Sequence, residues 1–70
     1  MSKKPTDADI KAAAEAGIKY CGSPEDAIES FKKAIRFAEN ANDAGAVETH
    51  RRLIAYCEGV QAKAAETAAA

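Results

Sequence analysis

Apolar residues recur at helical spacing in three stretches of this chain, separated by short breaks. The clearest stretch runs from Ser23 to Glu39, where Ala27, Ile28, Phe31, Ala34, Ile35 and Ala38 cover one broad face. Ser23 is placed to cap it, because its hydroxyl can accept a bond from an orphan N–H of the first turn. Pro24 stands at the first helical position, where a missing N–H costs nothing. Glu25, Asp26 and Glu29 lie toward the positive end of the helix dipole, and Lys32, Lys33 and Arg36 toward the negative end. The pattern predicts a helix over about 24–40. Its apolar face must leave water, so flanking helices have to cover it.

The other two stretches supply that cover. Thr6 and Asp9 have the spacing of a capping box with Asp in place of Glu, opening a helix over about 7–20. Ile10, Ala13, Ala14, Gly17, Ile18 and Cys21 share one face of it, and Lys11, Glu15 and Lys19 form i,i+4 pairs on the other. Gly17 costs about 1 kcal/mol relative to alanine inside a helix, and its place on the apolar face points to a close helix contact. Gly22 reads as a left-handed helix end. The turn to Ser23 is very short, so the first two helices are antiparallel neighbours. A second break follows at Asn40-Ala-Asn-Asp43, where Asn40 or Asn42 can turn left-handed and Asp43 can cap a third helix over about 44–65. There Val47, His50, Ile54, Cys57, Gln61 and Ala64 lie along one face, flanked by Leu53 and Val60. Residues 1–5 and 66–70 are expected to be disordered or frayed. The whole predicts one all-α domain over residues 1–70, an antiparallel three-helix bundle.

Composition adds a constraint. With 70 residues, the chain buries only about 60% of its unfolded surface, and alanine dominates its apolar fraction. A staple between the two cysteines, or a partner chain, would strengthen so light a core. The net charge of −1 argues against a nucleic-acid binder. No apolar run approaches about 18 residues, so no membrane span is expected. Met-Ser-Lys-Lys-Pro has positive charge but no apolar segment behind it, so no signal peptide is expected and the chain reads as cytoplasmic.

Ile18-Lys-Tyr20-Cys21-Gly22 recurs as Ile54-Ala-Tyr56-Cys57-Glu-Gly59, an offset of 36 residues. Helix-hairpin repeats of about 34 residues show similar offsets. Gly22, Ala27, Phe31 and Ala34 resemble the loop glycine and Ala-Phe-Ala positions of a tetratricopeptide second helix. The similarity covers about residues 14–39, with a partial second unit near 46–64. Glu15 and Glu39 depart from it, standing where that family has a small residue and a proline. The run Glu25-Asp-Ala-Ile-Glu-Ser-Phe-Lys-Lys-Ala-Ile also resembles the second helix of a microtubule-interacting-and-trafficking domain. Either resemblance implies a non-catalytic fold that binds peptides or helices between its own helices.

Candidate chemistry is sparse. Cys21 and Cys57 lie on inward faces of helices that run the same way. A disulfide between them, needing Cα atoms within about 7 Å, would close a loop of about 37 residues and add about 3–4 kcal/mol. In a reducing compartment they act instead as two small apolar core thiols. His50 is two turns from Cys57, so an activated Cys–His pair within one helix is not expected. No spacing suits a metal, and no glycine-rich phosphate loop or serine nucleophile motif is present, so neither cofactor nor enzymatic activity is expected. Lys32-Lys33-Arg36 and Arg51-Arg52 are basic clusters that read as solvated, salt-bridged faces, with binding of phosphates or an acidic partner as the alternative. Phe37 and Tyr56 lie off the centres of their stripes. They read first as core-edge residues, with an exposed aromatic patch as the alternative. The function expected is a small protein–protein interaction module. It would use a helix face or inter-helix groove, with Phe37, Tyr56, Arg51 and Arg52 at the surface, to bind a protein, a peptide or its own copy. The alternatives are a designed or purely structural scaffold with no ligand and, behind it, a thiol-dependent redox protein.

Overall fold

The computed structural model describes residues 4–69. Helix α1 spans Asp7–Cys21, α2 spans Pro24–Asn40 and α3 spans Ala44–Ala69. They pack as the expected antiparallel three-helix bundle, every pair of helices in contact and the α2/α3 interface the largest. The disorder expected at residues 1–3 and at residue 70 lies outside the described residues.

Local chemistry opens and closes each helix. The Asp9 N–H donates to Thr6 Oγ1 at 3.2 Å, and the Thr6 N–H donates to Asp9 Oδ2 at 3.1 Å, which completes the capping box. The Asp26 N–H donates to Ser23 Oγ at 3.1 Å. The Ala46 N–H donates to Asp43 Oδ1, also at 3.1 Å. Each cap satisfies a donor that the first turn would otherwise leave open. Gly22 ends α1 at φ 93°, with its N–H on the Ile18 carbonyl at 2.8 Å. Of the two asparagines able to turn left-handed after α2, Asn42 does so, at φ 57°.

The core is small and apolar. Ile10 and Ala14 of α1, Ala27 and Ile28 of α2, and Leu53 and Cys57 of α3 form one buried cluster. Ile18, Phe31, Ile54 and Tyr56 pack around it. No polar or charged side chain is buried among the described residues. Gly17 lets α1 close onto α2: a β-carbon there would fall 2.7 Å from Phe31 Cζ. On its other side Phe31 meets His50, with ring centroids 6.1 Å apart and planes tilted by 58°. The close contact expected at Gly17 is therefore real.

Three expectations need correction. On α3 the buried residues are Leu53 and Cys57, while Val47, His50 and Ile54 are only half-buried. The inward line therefore runs nearer Leu53 than the expected one through Val47, His50 and Ile54. The cause is that α3 must face α1 as well as α2, which pulls Tyr56 and Val60 inward too. On α1, Ala13 and Cys21 are exposed although they share the apolar line. Ala13 stands at its outer edge, and Cys21 is the helix's last residue. Finally, α3 runs to Ala69 rather than to about residue 65. At 1.5 Å per residue α3 is about 39 Å long and α1 about 22 Å. The end of α3 therefore projects past its neighbours, and Ala62 to Ala68 are all exposed.

Candidate functional site

Among the described residues two large apolar side chains stand in solvent, Tyr20 at 91% and Phe37 at 76% exposure. The helix contacts show that they share one face. On α1, Gly17 marks the side toward α2, and Ile18 marks the side toward α3, where it lines a groove with Tyr56 and Val60. Tyr20 lies roughly 100° off the buried line, on the Gly17 side. On α2, Glu39 marks the side toward α3, since it lines a cleft with Val47 and Arg51. Phe37 lies two positions away, about 200° around the helix, and so on the side toward α1. The outer α1/α2 face thus carries one aromatic near each end. Exposed Ala13 and Ala16 lie between them on α1.

Phe37 is therefore not a core-edge residue. No third helix covers that side, because α3 packs on the opposite flank of both α1 and α2. Tyr56, by contrast, is half-buried against the core and lines the α1/α3 groove of about 290 Å³ with Ile18 and Val60, rimmed by Glu15 and Lys19. The structure does not bring Phe37 and Tyr56 together. Tyr20 was not singled out for a site, although its place off the α1 stripe is readable from spacing alone.

The two arginines separate as well. Arg51 is exposed and lines the α2/α3 cleft of about 470 Å³ with the carboxylates Glu39, Asp43 and Glu48. Arg52 turns toward α1. Its Nη1 donates to the Pro5 carbonyl at 2.7 Å and its Nη2 to Asp7 Oδ1 at 2.9 Å. It belongs to a clamp across the bundle rather than to a free basic surface, and the chain just before α1 is held at Pro5. Of the local pairs expected around Lys32, Lys33 and Arg36, Glu29–Lys32 closes at 4.0 Å.

Both cysteines are free thiols, Cys21 exposed and Cys57 buried. Burial pushes the Cys57 thiol above its ordinary range, and negative charge on Cys21 and Glu58 pushes the same way. A nucleophilic thiolate needs the opposite shift. His50 does not assist, because its Nδ1 donates to the Ala46 carbonyl at 2.7 Å and its ring lies against Phe31. No cluster of three potential metal ligands exists among the described residues. No helix of the described residues is long and apolar enough to cross a membrane. No protein-family model, curated protein or solved structure matches the chain.

Proposed function

We propose that this chain is a small, non-catalytic helical interaction module, working in the cytoplasm, that docks a protein through the outer face of α1 and α2. The observation that carries this reading is the exposure of Phe37 and Tyr20 on one face, where the other large apolar side chains among the described residues are at least partly buried. Single exposed apolar residues are ordinary, but two aromatics on one small face are the composition of an interface centre. Neither ring holds the fold together, so their retention in water needs another reason.

A photoreactive phenylalanine analogue at position 37, expressed in the source cells, tests the reading. Position 55, exposed on the far side of α3, serves as the control. A discrete cross-linked species at 37 and none at 55 is expected. Equal, diffuse labelling at both positions would sink the interaction reading. It would leave the structural or designed scaffold, which is supported by the local capping residues Thr6, Ser23 and Asp43.

A further inference from the structure

The two cysteines of the chain have unequal access to water. Cys57 is fully buried in α3, whereas Cys21, the last residue of α1, is exposed. Cys21 continues the line of Ile10 and Ala14, which share the buried cluster with Cys57. The groove between α1 and α3 fixes the relative level of the two thiols. Glu15, Ile18 and Lys19 form one wall, Tyr56 and Val60 the other. Cys21 stands about four residues past the middle of the first wall, and Cys57 about one residue before the middle of the second. Because α1 and α3 run the same way, the offset along the bundle axis is about 7 Å. A disulfide needs Cα atoms within about 7 Å, and the distance across the groove adds to the axial offset, so the bond closes only if the last turn of α1 moves inward. Room for that movement is present. The groove of about 290 Å³ lies between Ile18, one turn before Cys21, and Tyr56 and Val60, on either side of Cys57 in sequence. Cys21 ends its helix and is followed by Gly22 at φ 93°, so the shift disturbs only the last turn of α1. Negative charge on Cys21 also makes Cys57 harder to ionise, which marks the two sulfurs as neighbours.

We propose that Cys21 and Cys57 are a hydroperoxide-responsive pair, in which exposed Cys21 is oxidised first and buried Cys57 resolves it as an intrachain disulfide that pins the end of α1 to α3. In the first step the Cys21 sulfur attacks the O–O bond of the hydroperoxide. An S–O bond forms, the O–O bond breaks, and the departing oxygen leaves as water or alcohol with the thiol proton. Cys21 is then a sulfenic acid. In the second step the Cys57 sulfur attacks the Cys21 sulfur. The S–S bond forms, the S–O bond breaks, and the hydroxyl leaves as water with the Cys57 proton. The two thiols lose one electron each and the hydroperoxide gains both. Burial sets the order, because the oxidant meets Cys21 in water and Cys57 is closed to it. The second step needs no solvent access, since its partner arrives from inside the fold. In a reducing compartment the bond is transient, reopened by thiol exchange at the exposed Cys21 sulfur.

Hydrogen peroxide is the probe, added to the reduced full chain at low micromolar concentration, and intact mass without reductant is the first measurement. A single-chain species lighter by two hydrogen atoms is expected, with helical circular dichroism retained. Its digest should hold the peptides containing positions 21 and 57 together until reductant is added. Cys57→Ala should accumulate at least about tenfold more Cys21 sulfenic acid, trapped with a cyclic dione, because the resolving thiol is gone. Cys21→Ser should leave Cys57 reduced over the same exposure. Dimers linked through Cys21 with Cys57 still a thiol overturn the proposal, as does Cys21 carried on to sulfinic acid beside an intact Cys57 thiol. The less stable Arg52→Ala variant supplies the remaining check. A closure rate that rises in step with its unfolded fraction overturns the proposal, since the bond would then form in the unfolded chain, and an unchanged rate supports closure within the bundle. None of these outcomes involves Phe37, so the docking reading stands or falls separately.

Discussion

Gly17 and Phe31 are in contact so close that a single methyl group on Gly17 would lie 2.7 Å from the tip of the Phe31 ring. Two effects oppose each other there. Alanine gains about 1 kcal/mol over glycine in a helix interior. Forcing a ring from a packed position costs about 1–3 kcal/mol. Phe31 also packs against His50, which limits how far the ring can retreat. Gly17→Ala should therefore destabilise the chain by about 1 kcal/mol in urea unfolding. Phe31→Leu removes the ring tip. In that background Gly17→Ala should be stabilising by up to about 1 kcal/mol. The same sign in both backgrounds would show that the contact does not govern position 17.

Arg52 is the only side chain of the predicted basic clusters that ties α3 to the start of α1. Asp7 is fully exposed, so the ion pair alone contributes little, whereas the bond to the Pro5 carbonyl is part-buried. Arg52→Ala should cost about 1 kcal/mol, and Asp7→Asn distinctly less. Amide exchange in residues 7–10 should quicken in Arg52→Ala more than in Asp7→Asn. Equal effects would mean that the carboxylate, rather than the carbonyl, carries the clamp.

What could be read in the chain, and what could not, divides by sequence distance. Thr6, Ser23, Gly22 and Asp43 were all legible, because a cap is decided within four residues of the group it satisfies. The helices followed from the period of their apolar positions. Arg52 and Asp7 are 45 residues apart, and nothing in a run of charges says which member will turn inward. The inward line of α3 was misplaced for a related reason. A helix touching two neighbours buries the residues between its two contact lines, and that angle exists only once the bundle is assembled. Phe37 was read toward the core because a three-helix bundle buries wide faces. It is exposed because α3 sits on the opposite flank of α2.

Cys57 makes stability depend on pH in a defined direction. Its folded thiol is harder to ionise than the unfolded one, chiefly through burial. The unfolded chain therefore releases that proton first as pH rises. Its stabilising contribution is complete below the unfolded thiol value of about 8.5 and declines as pH climbs toward the higher folded value. The melting temperature should fall more between about pH 8 and 10 in the unaltered chain than in Cys57→Ala, which lacks the group. Identical slopes would remove the thiol as the cause. At neutral pH, iodoacetamide should modify exposed Cys21 first and reach Cys57 only as the bundle opens.

The projecting end of α3 gives the last prediction, and it separates folding from docking. Val60 and Gln61 are the final half-buried residues of the helix, and everything described from Ala62 to Ala68 is exposed. A helix segment without tertiary contacts adds backbone bonds and little else, since burial of an amphipathic face supplies most helical stability in a folded protein. Removing residues 63–70, with the new terminus amidated to keep negative charge off the helix end, should lower total helicity. It should change the unfolding free energy by less than about 0.5 kcal/mol. Cross-linking from position 37 should persist in the truncated chain, because Phe37 lies on another helix. Loss of that cross-link with stability intact would move the docking contact onto the end of α3. Loss of stability would mean that the extension covers part of the core.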